Sequence, residues 1–330
     1  MVPTTACYFG SLHLEGTMKL VKYVVEHKQR ALVGKVSMNV ENDVGYYNKT
    51  DKELQEVEQF IKRVLSYKNE LVQPIITPRF AVSCSNELMC GLSKTSGRDT
   101  NVAFRIKFYT KLYEYKQKSH IGKQKKEIEY VLETNPECAS YTEVYQRCGI
   151  FNSPCIMAHA VHLTEDEMSE FNVRQVSVAH CPASNTRLNS GLCPVRKLLD
   201  RGIRVGLGTD ISGGDNASML DAMRRAMDVS LHLAMMGQPH TTLDWKEAFY
   251  LATLGGARAL RLEDKIGSFD IGKQFDALLI DVYAMGGPID KYDYNSGEDQ
   301  LVELVQRFVY LGDDRNIRQV YVNGETIKKF

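Results

Sequence analysis

Residues 153–180 read SPCIMAHAVHLTEDEMSEFNVRQVSVAH, and this stretch decides the fold. The run 153–159 is short, apolar and stops on His159. Residues 164–171 carry charged and apolar positions at helical spacing, and 173–180 is again apolar and stops on His180. Strand, helix and strand in so few residues form a βαβ unit, whose two strands pair in parallel because the crossover returns the chain to the same edge. The pattern extends outward. C-terminally, 194–200 reads as a helix and 204–210 as a strand, and the helix after Asp210 places Leu220, Met223, Met227 and Leu231 on one face. N-terminally, 4–9, 30–39 and 73–77 read as strands and 17–27 as a helix. Residues 50–69 carry Leu54, Val57, Phe60, Ile61, Val64 and Leu65 at helical spacing. So many βα units in series predict an α/β fold of the TIM-type (β/α)8 barrel kind over residues 1–268.

Residues 269–330 change character. Strand-like runs at 276–280 and 318–323, with Asn323-Gly324 as a turn, predict a small C-terminal β appendage and tail. Two places break the rhythm. The chain opens directly on a strand, and 100–118 (TNVAFRIKFYTKLYEYKQK) has no clean period, reading as a loop or a scar of mis-assembled coding sequence.

Composition narrows the partners. The 330 residues carry 41 Lys plus Arg against 41 Asp plus Glu, with no basic stripe for nucleic acid and no acidic tail. A small, weakly charged substrate is expected. No apolar run approaches the ~20 residues of a membrane span, so no membrane partner is expected. The 8 cysteines form no C-x-x-C pair, and no basic-then-apolar leader is visible, which reads as buried thiols in a cytosolic protein.

The chemistry sits where barrel strands end. His159, His180 and Asp210 each close a strand-like run, and His120 in Ser119-His120-Ile121 is a fourth candidate whose strand is unclear. Histidine and aspartate from separate strands suit a divalent metal such as zinc, which would bring the pKa of a bound water toward ~7. Each has a plainer reading as a hydrogen-bonded loop residue or, for Asp210, a helix cap, although Asp215, Asn216 and Ser218 are better placed to cap. Neither G-x-G-x-x-G nor G-x-x-x-x-G-K-[ST] occurs, which argues against nucleotide sites of those kinds.

A resemblance sharpens this. Thr77-Pro78-Arg79-Phe80, Ser119-His120-Ile121, Met157-Ala158-His159, Ala179-His180-Cys181-Pro182 with Ser184-Asn185, and Gly206-Leu207-Gly208-Thr209-Asp210 with Gly213-Gly214 occur in the order seen in guanine deaminases. Leu251-Ala252-Thr253-Leu254-Gly255-Gly256 and Leu311-Gly312-Asp313-Asp314-Arg315-Asn316 are similar to the same family of zinc-dependent amidohydrolases. The resemblance implies hydrolysis of guanine to xanthine and ammonia in the cytosol by a homodimer. His120 and Asp210 would ligate Zn2+, Asp210 would also take a proton from the attacking water, and His159 would hydrogen-bond the nucleophile or the tetrahedral centre. Arg79 and Phe80 would bind guanine together with His120, His159 and Asp210. His180 would orient the loop rather than ligate.

The sequence departs from that pattern in two ways. The family's first barrel strand, with its His-x-His pair, has no counterpart, so two zinc ligands are missing and two barrel edges are expected to be unpaired. His13 and His27 are isolated and do not replace the pair. The family's glutamate three positions after His120 is Lys123, and Glu127 lies about one helical turn further on, too far to substitute. Alternative expectations are therefore a non-catalytic paralogue that binds purine or a partner subunit, and an amidohydrolase for another amino-heterocycle.

Overall fold

The structure, a computed structural model, describes residues 3–97, 117–238, 242–291 and 300–329. Among these residues nine strands belong to the barrel: β1 (Thr5–Phe9), β2 (Arg30–Gly34), β3 (Val36–Ser37), β4 (Val72–Pro74), β5 (Thr77–Pro78), β6 (Gln117–Ile121), β7 (Cys155–His159), β8 (Ser177–His180) and β9 (Val205–Leu207). They pair in parallel as β1-β2-β4, β3-β5 and β6-β7-β8-β9. Helices alternate with them: α1 (Leu14–Glu26), α2 (Thr50–Ser66), α3 (Asn86–Gly97), α4 (Lys125–Thr134), α5 (Tyr141–Arg147), α6 (Glu165–Val173), α7 (Pro182–Arg187), α8 (Val195–Asp200), α9 (Met219–Met235), α10 (Trp245–Ala252) and α11 (Leu254–Ala259). The fold is therefore the α/β barrel that the periodicity predicts. Among the described residues β1 pairs only with β2 and β9 only with β8, so the ring is open between them.

Strand alternation builds two layers. Ala31 and Val33 of β2, and Cys155 and Met157 of β7, face the helices with Val57, Phe60, Ile61 and Val64 of α2. The intervening Leu32 and Ile156 turn inward, where with Ile75, Cys7 and Ala179 they meet Leu260 in the barrel interior. A residue period of two on every strand produces this separation.

Several expectations need correcting. The strand at 30–39 breaks at Lys35, whose fully buried ammonium pairs with Glu53 (2.8 Å) and Glu56 (3.3 Å) of α2. The break follows Gly34, where a Cβ would stand 1.9 Å from Thr77 Oγ1, so no larger residue fits that strand crossing. The strand at 73–77 likewise divides into β4 and β5. On α9, Leu220, Met223 and Met227 are buried, but Leu231 is exposed and Val229 and Leu233 take the inner face. Of the irregular stretch 100–118, residues 100–116 lie outside the described residues, while 117 and 118 open β6 rather than continuing a loop.

The C-terminal region forms the antiparallel meander β10 (Ala277–Ile280), β11 (Ile317–Val322) and β12 (Glu325–Lys329); the first two are the strands expected of the β appendage, and β12 is a third that the sequence did not mark. It also contributes α12 (Gln300–Leu311), whose Phe308 and Val309 pack with Leu220, Met223 and Met227 of α9, a contact the sequence did not suggest. A bidentate pair from Arg30 to Asp276 (2.9 and 2.8 Å) ties the meander to β2.

Helix α11 sits directly on β9. A Cβ at Gly206 would approach the Gly256 Cα to 2.9 Å, and backbone there cannot give way as a flexible side chain could. Gly206→Val is expected to destabilise the chain by about 1–3 kcal/mol through overpacking. An unchanged urea midpoint would refute that close approach.

Candidate active site

Five strand ends converge on one rim. Arg79 and Phe80 follow β5, His120 lies near the end of β6, His159 and His180 close β7 and β8, and Asp210 follows β9 by three residues. The structure brings all five site residues inferred from the sequence to the barrel's C-terminal face, where barrel enzymes work. His120 is sandwiched there. Its ring stacks on Phe9 at 4.5 Å and 6°, meets Phe80 edge-on at 6.3 Å, and lies 4.8 Å from the His159 ring. Phe9 was not singled out in the sequence. Its place at the end of the first strand is the signal that could have found it.

His159 is fully buried, its Nδ1 donates to Asn185 Oδ1 (2.8 Å), and its Nε2 faces Asp210 Oδ2 at 3.9 Å. Asn185, which the sequence marks only as part of the Ser184-Asn185 motif, therefore fixes which ring nitrogen looks into the site. Both His159 and Asp210 adopt left-handed backbone, with φ of 76° and 46°, as do Ala160 and Ser212. Non-glycine residues in that region store strain of order 1–3 kcal/mol each, and they concentrate at functional sites.

Behind the rim, β6 is pinned by α5. Tyr145 Oη donates to the His120 carbonyl (2.6 Å), accepts from the Ala81 amide (3.2 Å) and lies 3.1 Å from Ser119 Oγ. At the mouth, Arg79 is exposed, donates to Met38 Sδ (3.3 Å) and lies over the half-buried Phe80 ring at 5.4 Å. His180 is fully buried, and neither ring nitrogen has a hydrogen-bond partner among the described residues. Burial first, and the neighbouring His159 second, pull its pKa down to about 3, so it is neutral.

Lys123 enters from the turn after β6, its Nζ 3.2 Å from Ser184 Oγ and 3.8 Å from Asp210 Oδ2. Glu127 is no replacement for a carboxylate at that point. Burial raises its pKa, and its hydrogen bond runs to Tyr141 in the helix layer. His13 is exposed against Tyr46, and His27 Nδ1 bonds the Tyr23 carbonyl.

The chain belongs to the amidohydrolase family, whose model matches residues 3–327. Its relatives are guanine deaminases: the Rattus norvegicus enzyme is 42% identical over 328 residues, 99% of this chain and 69% of that protein. The crystal structure of guanine deaminase from C. acetobutylicum, with guanine bound in its active site, superposes with a TM-score of 0.83 at 36% identity, covering 98% of this chain and 72% of that one. An adenosine deaminase from Xanthomonas campestris with bound zinc shares the fold alone, at 23% identity and a TM-score of 0.76, over 97% of this chain and 65% of that one.

Members of the family bind a metal, but the donors here do not fit one. Among the described residues no group of three or more His, Cys, Asp and Glu side chains is arranged to hold a metal ion. The carboxylate that would receive it already faces an ammonium. A dication about 4 Å from that ammonium is repelled by roughly 8 kcal/mol at an effective dielectric of about 20.

Proposed function

We propose that the rim binds guanine and that the chemistry of this site is its hydrolytic deamination to xanthine and ammonia. Family membership among guanine deaminases supports the substrate. The observation that carries the reading is the convergence of Arg79, Phe80, His120, His159 and Asp210 on one barrel face. Phe80 offers an aromatic face to the purine, and the Arg79 guanidinium donates to a ring acceptor. His159, oriented by Asn185, hydrogen-bonds the water attacking the purine carbon that bears the exocyclic amine; Asp210 accepts that water's proton, and the proton is passed to the amine, whose C–N bond breaks to release ammonia. A homodimer and a cytosolic location are part of this reading by resemblance, and the location also accords with eight free cysteines; zinc, which the resemblance implies as well, is not. No step is routed through zinc, because the donors do not fit it.

A second reading, guanine binding without hydrolysis, is favoured by one observation: Lys123 sits on the carboxylate that would take the proton. Ammonia release from guanine by the purified chain separates the two. Turnover lost in His120→Ala and Asp210→Ala supports deamination. Binding without turnover supports the second reading, and neither binding nor turnover sinks both. Arg79→Ala is expected to weaken guanine binding by about 10- to 100-fold, the loss of one hydrogen bond from a charged donor. Equilibrium dialysis with radiolabelled guanine would show it, and an unchanged Kd would remove Arg79 from the site.

A further inference from the structure

We propose that Lys123 is the resident cation of this site: anchored by Ser184, its ammonium occupies the charge position on Asp210, and the rim binds its purine with no divalent metal. The purine part rests on the guanine reading above, whereas the metal part stands on geometry alone. Gly122 turns the chain at φ +53° after β6 and brings residue 123 back over the rim. The Lys123 side chain is then 18% exposed and the Asp210 side chain 30%, so this is not a solvated surface pair. Ser184, fully buried, accepts from Nζ at 3.2 Å.

The space between these groups is kept open. A Cβ at Gly213 would stand 2.7 Å from Asp210 Oδ2 and 2.8 Å from Ser184 Oγ, so a side chain there would push apart the two groups that Lys123 contacts. Asp210 Oδ2 therefore lies between two nitrogen groups, Lys123 Nζ at 3.8 Å and His159 Nε2 at 3.9 Å. An ammonium so placed supplies one positive charge to the carboxylate and, unlike zinc, offers no open coordination position for water.

The experiment measures metal and purine separately on the full chain. Zinc retained after dialysis is quantified by mass spectrometry for the wild type, Lys123→Met and Lys123→Glu, with a thermal melt confirming that each is folded. Guanine binding is measured on the wild type in zinc-supplemented and in chelator-treated buffer. The wild type is expected to retain no stoichiometric zinc and to bind guanine equally in both buffers. Lys123→Glu, which removes the ammonium and adds a carboxylate, is expected to tighten zinc at least about tenfold. Stoichiometric zinc in the wild type overturns the proposal, as does guanine binding that appears only with zinc. Failure of both folded variants to gain zinc affinity also overturns it. If the wild type binds guanine in neither buffer, the guanine reading fails instead, and the zinc result still decides the metal claim.

Discussion

Asp276→Ala is expected to lower the unfolding free energy by about 3–5 kcal/mol, the usual consequence of leaving a buried charge without its partner. Arg30 and Asp276 have side chains only 6% and 4% exposed, and the guanidinium meets both carboxylate oxygens. Asp276 also accepts from the Asn323 amide (2.9 Å) and Thr5 Oγ1 (3.4 Å), so one carboxylate joins β1, β2 and the turn between β11 and β12. Its removal strands a guanidinium in a dry contact. Replacing the pair together, as Arg30→Met with Asp276→Leu, should cost much less, because an apolar pair of similar volume needs no desolvation. Urea unfolding of the two singles and the double gives the coupling. A cost below about 1 kcal/mol for Asp276→Ala would show the pair to be no stronger than a surface contact.

The second large effect depends on pH. His180 titrates at about 3 in the folded chain, chiefly because burial disfavours the imidazolium. In the unfolded chain an ordinary histidine titrates near 6.5. The folded value is the lower one, so between these limits the unfolded state binds the extra proton. The stabilisation is complete above about pH 6.5 and is lost as pH falls toward 3. The slope approaches about 1.4 kcal/mol per unit, and the whole window spans roughly 4–5 kcal/mol. From pH 6.5 to 5 this amounts to about 2 kcal/mol. Urea midpoints at both values, for the wild type and His180→Asn, isolate the contribution. A variant that keeps the full wild-type pH slope would place the acid sensitivity elsewhere.

Much of this was legible in the sequence where local pattern and tertiary role coincide. The runs ending at His159 and His180 are apolar because both faces of a parallel barrel strand are covered, and they end on a polar residue because the rim begins there. What the sequence hid depends on long-range contact. Nothing local announces that 30–39 must break at Lys35, since the cause is a pair of glutamates on the next helix. Leu231 fits the helical period, yet it is exposed while Val229 and Leu233 are buried, a choice made by tertiary packing rather than by local pattern. At the site, motif order placed Arg79, Phe80, His120, His159 and Asp210 on one rim. The stacking of Phe9 on His120 and the grip of Lys123 on Ser184 join residues far apart in the chain, which no local pattern records.

The hydroxyl of Tyr145 has a mechanical consequence. It grips the backbone at Ala81 and at His120 together, from a helix that faces away from the rim. The backbone just after Phe80 and the backbone at His120 are thereby held by one hydroxyl from the helix layer. Phe80 and His120 already meet edge-on at 6.3 Å, so a change at Tyr145 would be felt by both rings at once without altering either residue.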